Sequence, residues 1–134
     1  MINAICCFLG PPDKNSNIRP TVRRIPQNET PLQAELRFRR LEVEDWNIEF
    51  WTNHNRRFYE EKEDYIKKMK KPDEDAVGAD VMSIFYKDFL DKNWRMHCFY
   101  NLSWYLKNFE LLILAGQVNL ESFARKFRKN KTTN

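Results

Sequence analysis

The fold is decided by TPLQAELRFRRLEVEDWNIEFWTNHNRRFYEEKEDYIKKMKK, residues 30–71, which contains no glycine and a single proline at its second position. Apolar residues recur in it at spacings of three, four and seven, as on one face of a helix. These residues are Leu32, Leu36, Val43, Trp46, Phe50, Phe58, Tyr65 and Met69. The pattern predicts one long amphipathic helix, or two in line, up to about 60 Å long at about 1.5 Å per residue.

The start of this helix is marked by three residues with complementary roles. Thr30 is a preferred N-cap, Pro31 suits the first helical position, and Gln33 completes a capping box with Thr30. Further along, Glu63 and Lys67 stand four residues apart with the acid first, an order that stabilises a helix. We expect the second half of the helix to expose a charged face to solvent.

Residues 71–78, KPDEDAVG, interrupt the pattern with a proline, an acidic cluster and a glycine, as a connection between antiparallel helices requires. Asp80 then suits the N-cap of a following helix. The apolar period blurs near Asn93, and either Asn93 or Asn101 suits a second cap. We therefore predict a separate helix over residues 93–109 and a last helix that ends in a basic run. That run comprises Arg125, Lys126, Arg128, Lys129 and Lys131.

The leader, residues 1–31, contains five of the six prolines, which favour extended backbone. Its apolar residues recur at intervals that suit packing on a helical body, and the expected anchors are Phe8, Leu9, Ile18, Val22 and Ile25. We therefore predict a single all-α domain. Residues 1–31 form an extended Pro-rich strap, and residues 32–134 form a helical domain whose long first helix packs on two or three C-terminal helices.

The residue inventory excludes several classes of protein. The 3 glycines stand apart, which excludes a dinucleotide fingerprint and a P-loop. The 3 cysteines include no C-x-x-C pair, so we expect neither a zinc module nor a disulfide framework. No serine lies in a nucleophile elbow, and no catalytic residue set is recognisable. The net charge of +4 permits an acidic partner, but no nucleic-acid-reading motif accompanies the arginines, so we expect no nucleic acid.

A membrane-spanning helix is not expected, because the most apolar window, residues 99–118, includes Lys107 and Glu110. Trp104 and Tyr105, upstream of the basic C-terminus, suit a helix lying at a membrane interface. The competing interpretation makes this segment the hairpin partner of the first helix. We favour the hairpin and keep peripheral attachment to anionic lipid as the alternative.

The two histidines, His54 and His97, lie too far apart in sequence for a metal-binding pair on one helix. His97 stands in the aromatic segment WRMHCFY, residues 94–100, which suits a haem edge with His97 as axial ligand. Cys98 points about 100° away from it on a helix, so the two residues do not chelate together. The alternative is a half-buried histidine that hydrogen-bonds a carboxylate or a carbonyl group.

Several motifs together resemble one mitochondrial family. They are GPPDKNSNIRP at residues 10–20, IPQNETPL at 25–32, WNIEFW at 46–51, FYKDFLDKN at 85–93, HCFYN at 97–101 and WYLKNF at 104–109. The family is that of the apoptogenic proteins, also called cytochrome c oxidase assembly factor 8. The resemblance covers residues 9–128, nearly the whole chain.

This resemblance implies a non-enzymatic protein on the matrix side of the mitochondrial inner membrane. Such a protein supports the assembly or maintenance of cytochrome c oxidase (complex IV) and limits oxidative damage. Members of the family carry an Arg-rich presequence before the GPPD motif, whereas only nine residues precede Gly10 here, so no presequence is visible.

Two surfaces are expected to bind oxidase subunits or assembly intermediates: the Pro-rich leader and the C-terminal aromatic residues. The candidates are Gly10, Pro11, Pro12, Asp13, Lys14, Asn17, Arg19, Pro20, Trp104 and Tyr105.

Two further hypotheses stand beside the assembly factor. One is a haem-binding protein that handles haem or peroxide for the oxidase through His97. The other is an interaction protein in apoptosis, which rests only on the older family name. The spacing of seven from Leu36 through Val43 to Phe50 suits a dimer as well as an intrachain hairpin, so the oligomeric state is open at this point.

Overall fold

The computed structural model describes residues 7–72 and 76–131 of the 134-residue chain. Its elements in chain order are β1 (Cys7–Leu9), β2 (Thr21–Arg23), α1 (Pro31–Met69) and α2 (Ala79–Lys131). The two helices pack against each other as an antiparallel hairpin. Trp51 Nε1 donates to Tyr100 Oη at 2.9 Å near the middle, and Thr30 Oγ1 donates to Glu121 Oε2 at 3.1 Å near the open end. The predicted all-α class is confirmed.

The predicted start of α1 is confirmed by the geometry of its cap. Gln33 N donates to Thr30 Oγ1 at 3.2 Å, and Thr30 N donates to Gln33 Oε1 at 3.0 Å, so both halves of the capping box form. The ion pair predicted between Glu63 and Lys67 is also present, at 2.9 Å. One helix of 39 residues results, rather than two in line.

The prediction of two or three C-terminal helices is wrong, because α2 is one continuous helix of 53 residues. Neither Asn93 nor Asn101 caps a separate helix over residues 93–109, because both lie inside α2. Asn93 Nδ2 instead donates to Phe89 O at 2.8 Å within this helix. Gly116 lies within the same helix, because one glycine costs only about 1 kcal/mol of helix propensity. Asp80 lies in the first turn rather than at the cap, and Met82 N donates to Gly78 O at 3.0 Å.

The connection between the helices falls where the sequence predicts it. Pro72 and Gly78 are both non-helical, and α1 ends at Met69. The acidic residues of the predicted connection, residues 73–75, lie outside the described residues.

The helices are held together by an aromatic seam in the half of the hairpin nearest the connection. Phe85 and Phe89 are buried there, and the rings of Phe58 and Phe89 lie 5.1 Å apart. Further from the connection the ring of Phe50 stacks on that of Tyr100 at 4.2 Å. The apolar stripe of α1 thus packs against α2 within the helical hairpin.

The accessible surface area of the chain is 11279 Å², whereas a compact monomer of this mass exposes roughly 7,500 Å². The helical hairpin therefore buries less of its surface than a compact domain does.

The leader forms a small antiparallel hairpin in which Phe8 pairs with Val22. From there it runs back along α1 in the opposite direction to the helix. Asn55 Nδ2 donates to the carbonyl oxygen of Asn15 at 2.9 Å, and the Arg23 and Glu44 side chains form an ion pair at 2.9 Å. Thr21 N also donates to the Glu44 carboxylate, and the Arg37 and Glu29 side chains pair at 2.9 Å.

Four of the five expected apolar anchors of the leader are wrong. Phe8 and Leu9 are each 68% exposed, Val22 and Ile25 are also exposed, and only Ile18 is half-buried. The described part of the chain contains no further sheet that could cover the faces of these three-residue strands. The polar contacts to α1 attach the leader instead.

Candidate functional site

Residues 10–20 of the leader form an ordered loop built around one carboxylate. Asp13 Oδ2 accepts hydrogen bonds from Ser16 N at 2.8 Å, from Ser16 Oγ at 2.9 Å and from Asn15 N at 3.1 Å. These donors, the Ser16 backbone first, stabilise the charged form and hold the pKa of Asp13 below its usual value. Ser16 is buried beneath the turn.

The backbone closes the same loop. Asp13 N donates to Ile18 O and Asn17 N donates to Asp13 O, both at 2.8 Å. Asn17 has a φ of 61°, in the left-handed region that asparagine tolerates better than most residues. At the base, Gly10 N donates to Pro20 O at 2.9 Å, and a Cβ at Gly10 would lie only 3.1 Å from Pro20 Cγ.

The eight leader candidates therefore divide into two groups. Gly10, Asp13 and Pro20 shape the loop. The other five are exposed on it: Pro11, Pro12, Lys14, Asn17 and Arg19. We call this element the leader loop.

The structure brings together the two histidines that sequence reasoning kept apart. His54 is only 7% exposed, and its ring lies 4.7 Å from that of half-buried His97 across the hairpin. His54 Nδ1 and His97 Nε2 are buried and have no hydrogen-bond partner within the described part of the chain. The carboxylate or carbonyl partner expected for His97 is therefore not found at Nε2.

Burial lowers the pKa of His54, and the neighbouring His97 and Arg57 lower it further. The positions of the two histidines in the sequence already indicated that they could lie close together. His54 and His97 lie at similar distances from the 71–78 connection, and an antiparallel hairpin places such residues near each other. Combining the predicted connection with the two positions would have placed the histidines near each other, but it would not have set the register that brings their rings together.

Trp104 and Tyr105 have different environments although they are adjacent. Trp104 is 38% exposed, whereas Tyr105 is 67% exposed, and their rings meet edge to face at 5.3 Å. Lys107, the next basic residue along α2, points toward α1, and its Nζ lies 5.1 Å from the centre of the Trp46 ring. Tyr105 belongs to the side of α2 that faces away from α1.

That side carries a continuous apolar surface, which we call the outer face. Ten of its side chains are at least half exposed: Phe99, Leu102, Tyr105, Leu106, Phe109, Leu112, Ile113, Leu120, Phe123 and Phe127. Ile113 lies at the edge of this face, where it also borders a cleft between α1 and α2. Sequence reasoning recognised only Tyr105 of this set as a surface candidate, because apolar residues occur all around α2 and their period does not separate two faces.

Beside the seam, α1 and α2 form a cleft of about 250 Å³. Val43, Leu111 and Leu114 contribute apolar side chains, and Glu35 and Arg39 are among the charged residues around it. The cleft does not include either histidine. Among the described residues no group of three or more potential metal ligands occurs. Neither described helix has a stretch long and apolar enough to span a bilayer.

Comparison with known proteins confirms the resemblance noted in the sequence. The sequence profile of the cytochrome c oxidase assembly factor 8 family matches residues 6–124. The chain belongs to this family. The match includes the leader loop, the seam and most of the outer face.

Individual members of the assembly factor 8 family are also similar to this chain. A protein of this family from Drosophila melanogaster, named as mitochondrial, is 58% identical over 116 residues, covering 87% of this chain and 66% of the relative. Cytochrome c oxidase assembly factor 8 of Bos taurus is 39% identical, covering 94% of this chain and 71% of the relative. Cytochrome c oxidase assembly factor 8 of Homo sapiens is 39% identical, covering 92% of this chain and 65% of the relative. The chain thus spans about two thirds of the length of these relatives. No solved structure matches it.

Proposed function

We propose that this chain is a mitochondrial, non-enzymatic binding protein that supports the assembly of cytochrome c oxidase. Family membership supports the pathway, and the leader loop is the observation that supports binding as the mode of action. The loop is held by hydrogen bonds to one carboxylate and closed by Gly10 and Pro20, yet it adds little to the seam between the helices. An ordered, exposed loop on a rigid body is typical of recognition.

The chemistry of the loop suggests what it recognises. Pro11 and Pro12 offer rigid apolar contact, and Lys14 and Arg19 add positive charge. Because its conformation is already fixed, the loop loses little conformational entropy on binding. We propose that it docks on an oxidase subunit or assembly intermediate with an acidic surface.

The experiment uses mitochondria that lack the endogenous protein. The chain is expressed behind a mitochondrial presequence as wild type, as Asp13→Ala and as Glu60→Ala, and assembled oxidase is measured on native gels and by activity. Wild type and Glu60→Ala, which changes an exposed carboxylate on α1, should restore the oxidase. Asp13→Ala should not, because the loop loses its hydrogen-bond acceptor.

Circular dichroism of purified Asp13→Ala should show unchanged helix content, so that a failure to restore the oxidase is traced to the leader loop. Full restoration by Asp13→Ala would refute the loop as the recognition element. Failure of the wild-type chain to restore the oxidase would refute the assembly function.

The finer expectations from the sequence belong to the same proposal: a location on the matrix side of the inner membrane, contact with anionic lipid, and protection of the oxidase from oxidative stress. The basic side chains of Arg125 and Lys126 near the end of α2 support the lipid contact. Carbonate extraction of the mitochondria and oxidase activity after peroxide exposure test these points in the same cells.

Haem handling through His97 is the second candidate, and one observation favours it. Among the described residues, His97 Nε2 and His54 Nδ1 have no hydrogen-bond partner, so each imidazole has a nitrogen that does not bond the protein there. The closed hairpin leaves no access for a porphyrin, because Nε2 is buried against α1. Haem ligation by His97 therefore requires the helices to separate at the seam.

A haem titration of the purified chain decides this candidate. Wild type should develop a Soret band that is lost in His97→Ala and retained in Asn93→Ala, a matched change one turn away on α2. Identical spectra for wild type and His97→Ala would remove His97 from the role.

A further inference from the structure

The outer face of α2 is too large and too apolar for a surface that stays in water. Its ten side chains are 50–71% exposed and extend from Phe99 to Phe127, about 42 Å along the helix. Their exposed area is on the order of 1,000 Å², judged from the area that such side chains bury in full contact. The largest apolar patch of an ordinary monomer is about 300–600 Å².

Charge is directed away from this face. Of the five charged residues between Phe99 and Phe127, four lie against α1 or beside it: Lys107 over Trp46, Glu110 at the cleft, Glu121 at Thr30 and Arg125 at Glu121. The leader is also on the far side of α2, where it approaches Val118. No described element of the chain covers the outer face.

We propose that two copies of this chain associate through their outer faces, with the α2 helices antiparallel and a two-fold axis between Leu112 and Ile113. The area suits this occupant, because a stable interface needs about 800 Å² from each partner. An interface of this symmetry uses the same patch on both copies, so the patch must be complementary to itself.

The residues of the outer face meet that condition. An axis between Leu112 and Ile113 sets Leu102 opposite Phe123 of the second copy and Tyr105 opposite Leu120. It also sets Phe109 opposite Gly116. A Cβ added at Gly116 would meet nothing within 4 Å, so the surface is open there and has room for an aromatic ring.

Charge favours the antiparallel orientation. In the antiparallel orientation the basic runs of the two copies, which begin at Arg125, lie at opposite ends of the interface, roughly 38 Å apart at about 1.5 Å per residue. In the parallel orientation the two basic runs would lie side by side and repel each other.

The first test is the mass of the purified full chain by light scattering at about 10 μM and in a dilution series. We expect twice the 16.3 kDa of the chain. Phe109→Asp should weaken dimerisation roughly 30-fold or more, because a charge would replace a central ring of the interface. The matched control is Tyr59→Asp, an equally exposed aromatic on α1, which should remain dimeric. Circular dichroism should show unchanged helix content in both variants.

The second test determines orientation with a short bifunctional maleimide. A chain with Cys6, Cys7 and Cys98 changed to Ser and carrying Ile113→Cys should cross-link, because the two sulfurs lie near the axis. A chain that keeps only exposed Cys98 should not, because the two sulfurs would lie about 43 Å apart.

Three results would overturn the proposal. One is a monomeric mass at every concentration. Another is cross-linking through Cys98, which would indicate a parallel dimer whether or not Ile113→Cys also cross-links. The third is a monomer that binds vesicles of phosphatidylcholine with an anionic lipid and loses this binding in Phe109→Asp, which would make a lipid surface the occupant.

Discussion

The two sides of α2 are similar in composition and opposite in environment. On the inner side, Phe85 and Phe89 are buried among aromatic rings of α1. On the outer side, Phe109 and Phe123 point into solvent. A helix that is apolar on all sides is normally buried on all sides. Packing against α1 buries only the inner side of α2, so the difference teaches that the helical hairpin by itself leaves one apolar face of α2 uncovered.

The largest expected effect tests the inner side. Phe89→Ala should lower the free energy of unfolding by about 3–5 kcal/mol, because it leaves a cavity among Phe58, Phe85 and His54. Chemical denaturation monitored by circular dichroism measures the loss, which should be the same at every protein concentration.

The matched outer variant is Phe109→Ala. In dilute solution it should change the free energy of unfolding by no more than about 0.5 kcal/mol, as expected for an exposed residue. In concentrated solution it should reduce the rise of Tm with protein concentration that association produces. Equal losses for Phe89→Ala and Phe109→Ala in dilute solution would contradict the distinction between the two sides.

An effect between those of Phe89→Ala and Phe109→Ala is expected at the open end of the hairpin, where Thr30 bonds Glu121. Thr30→Ala removes both the α1 cap and the bond to Glu121, and should cost about 1 kcal/mol of unfolding free energy in thermal or chemical unfolding. Thr30→Ser keeps the oxygen and should restore most of it. A loss in Thr30→Ser as large as in Thr30→Ala would show that the methyl group, not the hydrogen bonds, matters.

The smallest expected effect is the pH dependence of stability, which only the inner side of α2 should show. Burial lowers the pKa of His54, so below its usual pKa of about 6.5 the unfolded chain binds more protons than the folded one. Stability should therefore decrease as pH falls from 7.5 to 5.5, and Tm should record it.

His54→Phe, which removes the titrating group, should flatten this dependence. The outer face has no group that titrates in this range, so the dimer mass should stay constant across it. A dimer that dissociates over the same pH range while the hairpin stays folded would break the comparison.

Local signals predicted most of the fold. The capping box at Thr30, the long helix without glycine and the Pro-Gly connection each involve residues close in sequence, and each formed as expected. The boundary predicted near Asn93 failed because the side chain of an asparagine can bond within a helix as well as cap one. The apolar anchors of the leader failed because attachment came from ion pairs, which a hydrophobic pattern does not report.

The sequence by itself determined the helical class, the start of α1, the family and the motif that builds the leader loop, because these are properties of contiguous residues. Only the tertiary structure decided that His54 meets His97, and which side of α2 faces α1. Both depend on the register between two helices. An apolar pattern that surrounds a helix leaves the choice of its buried side to the partner that packs against it.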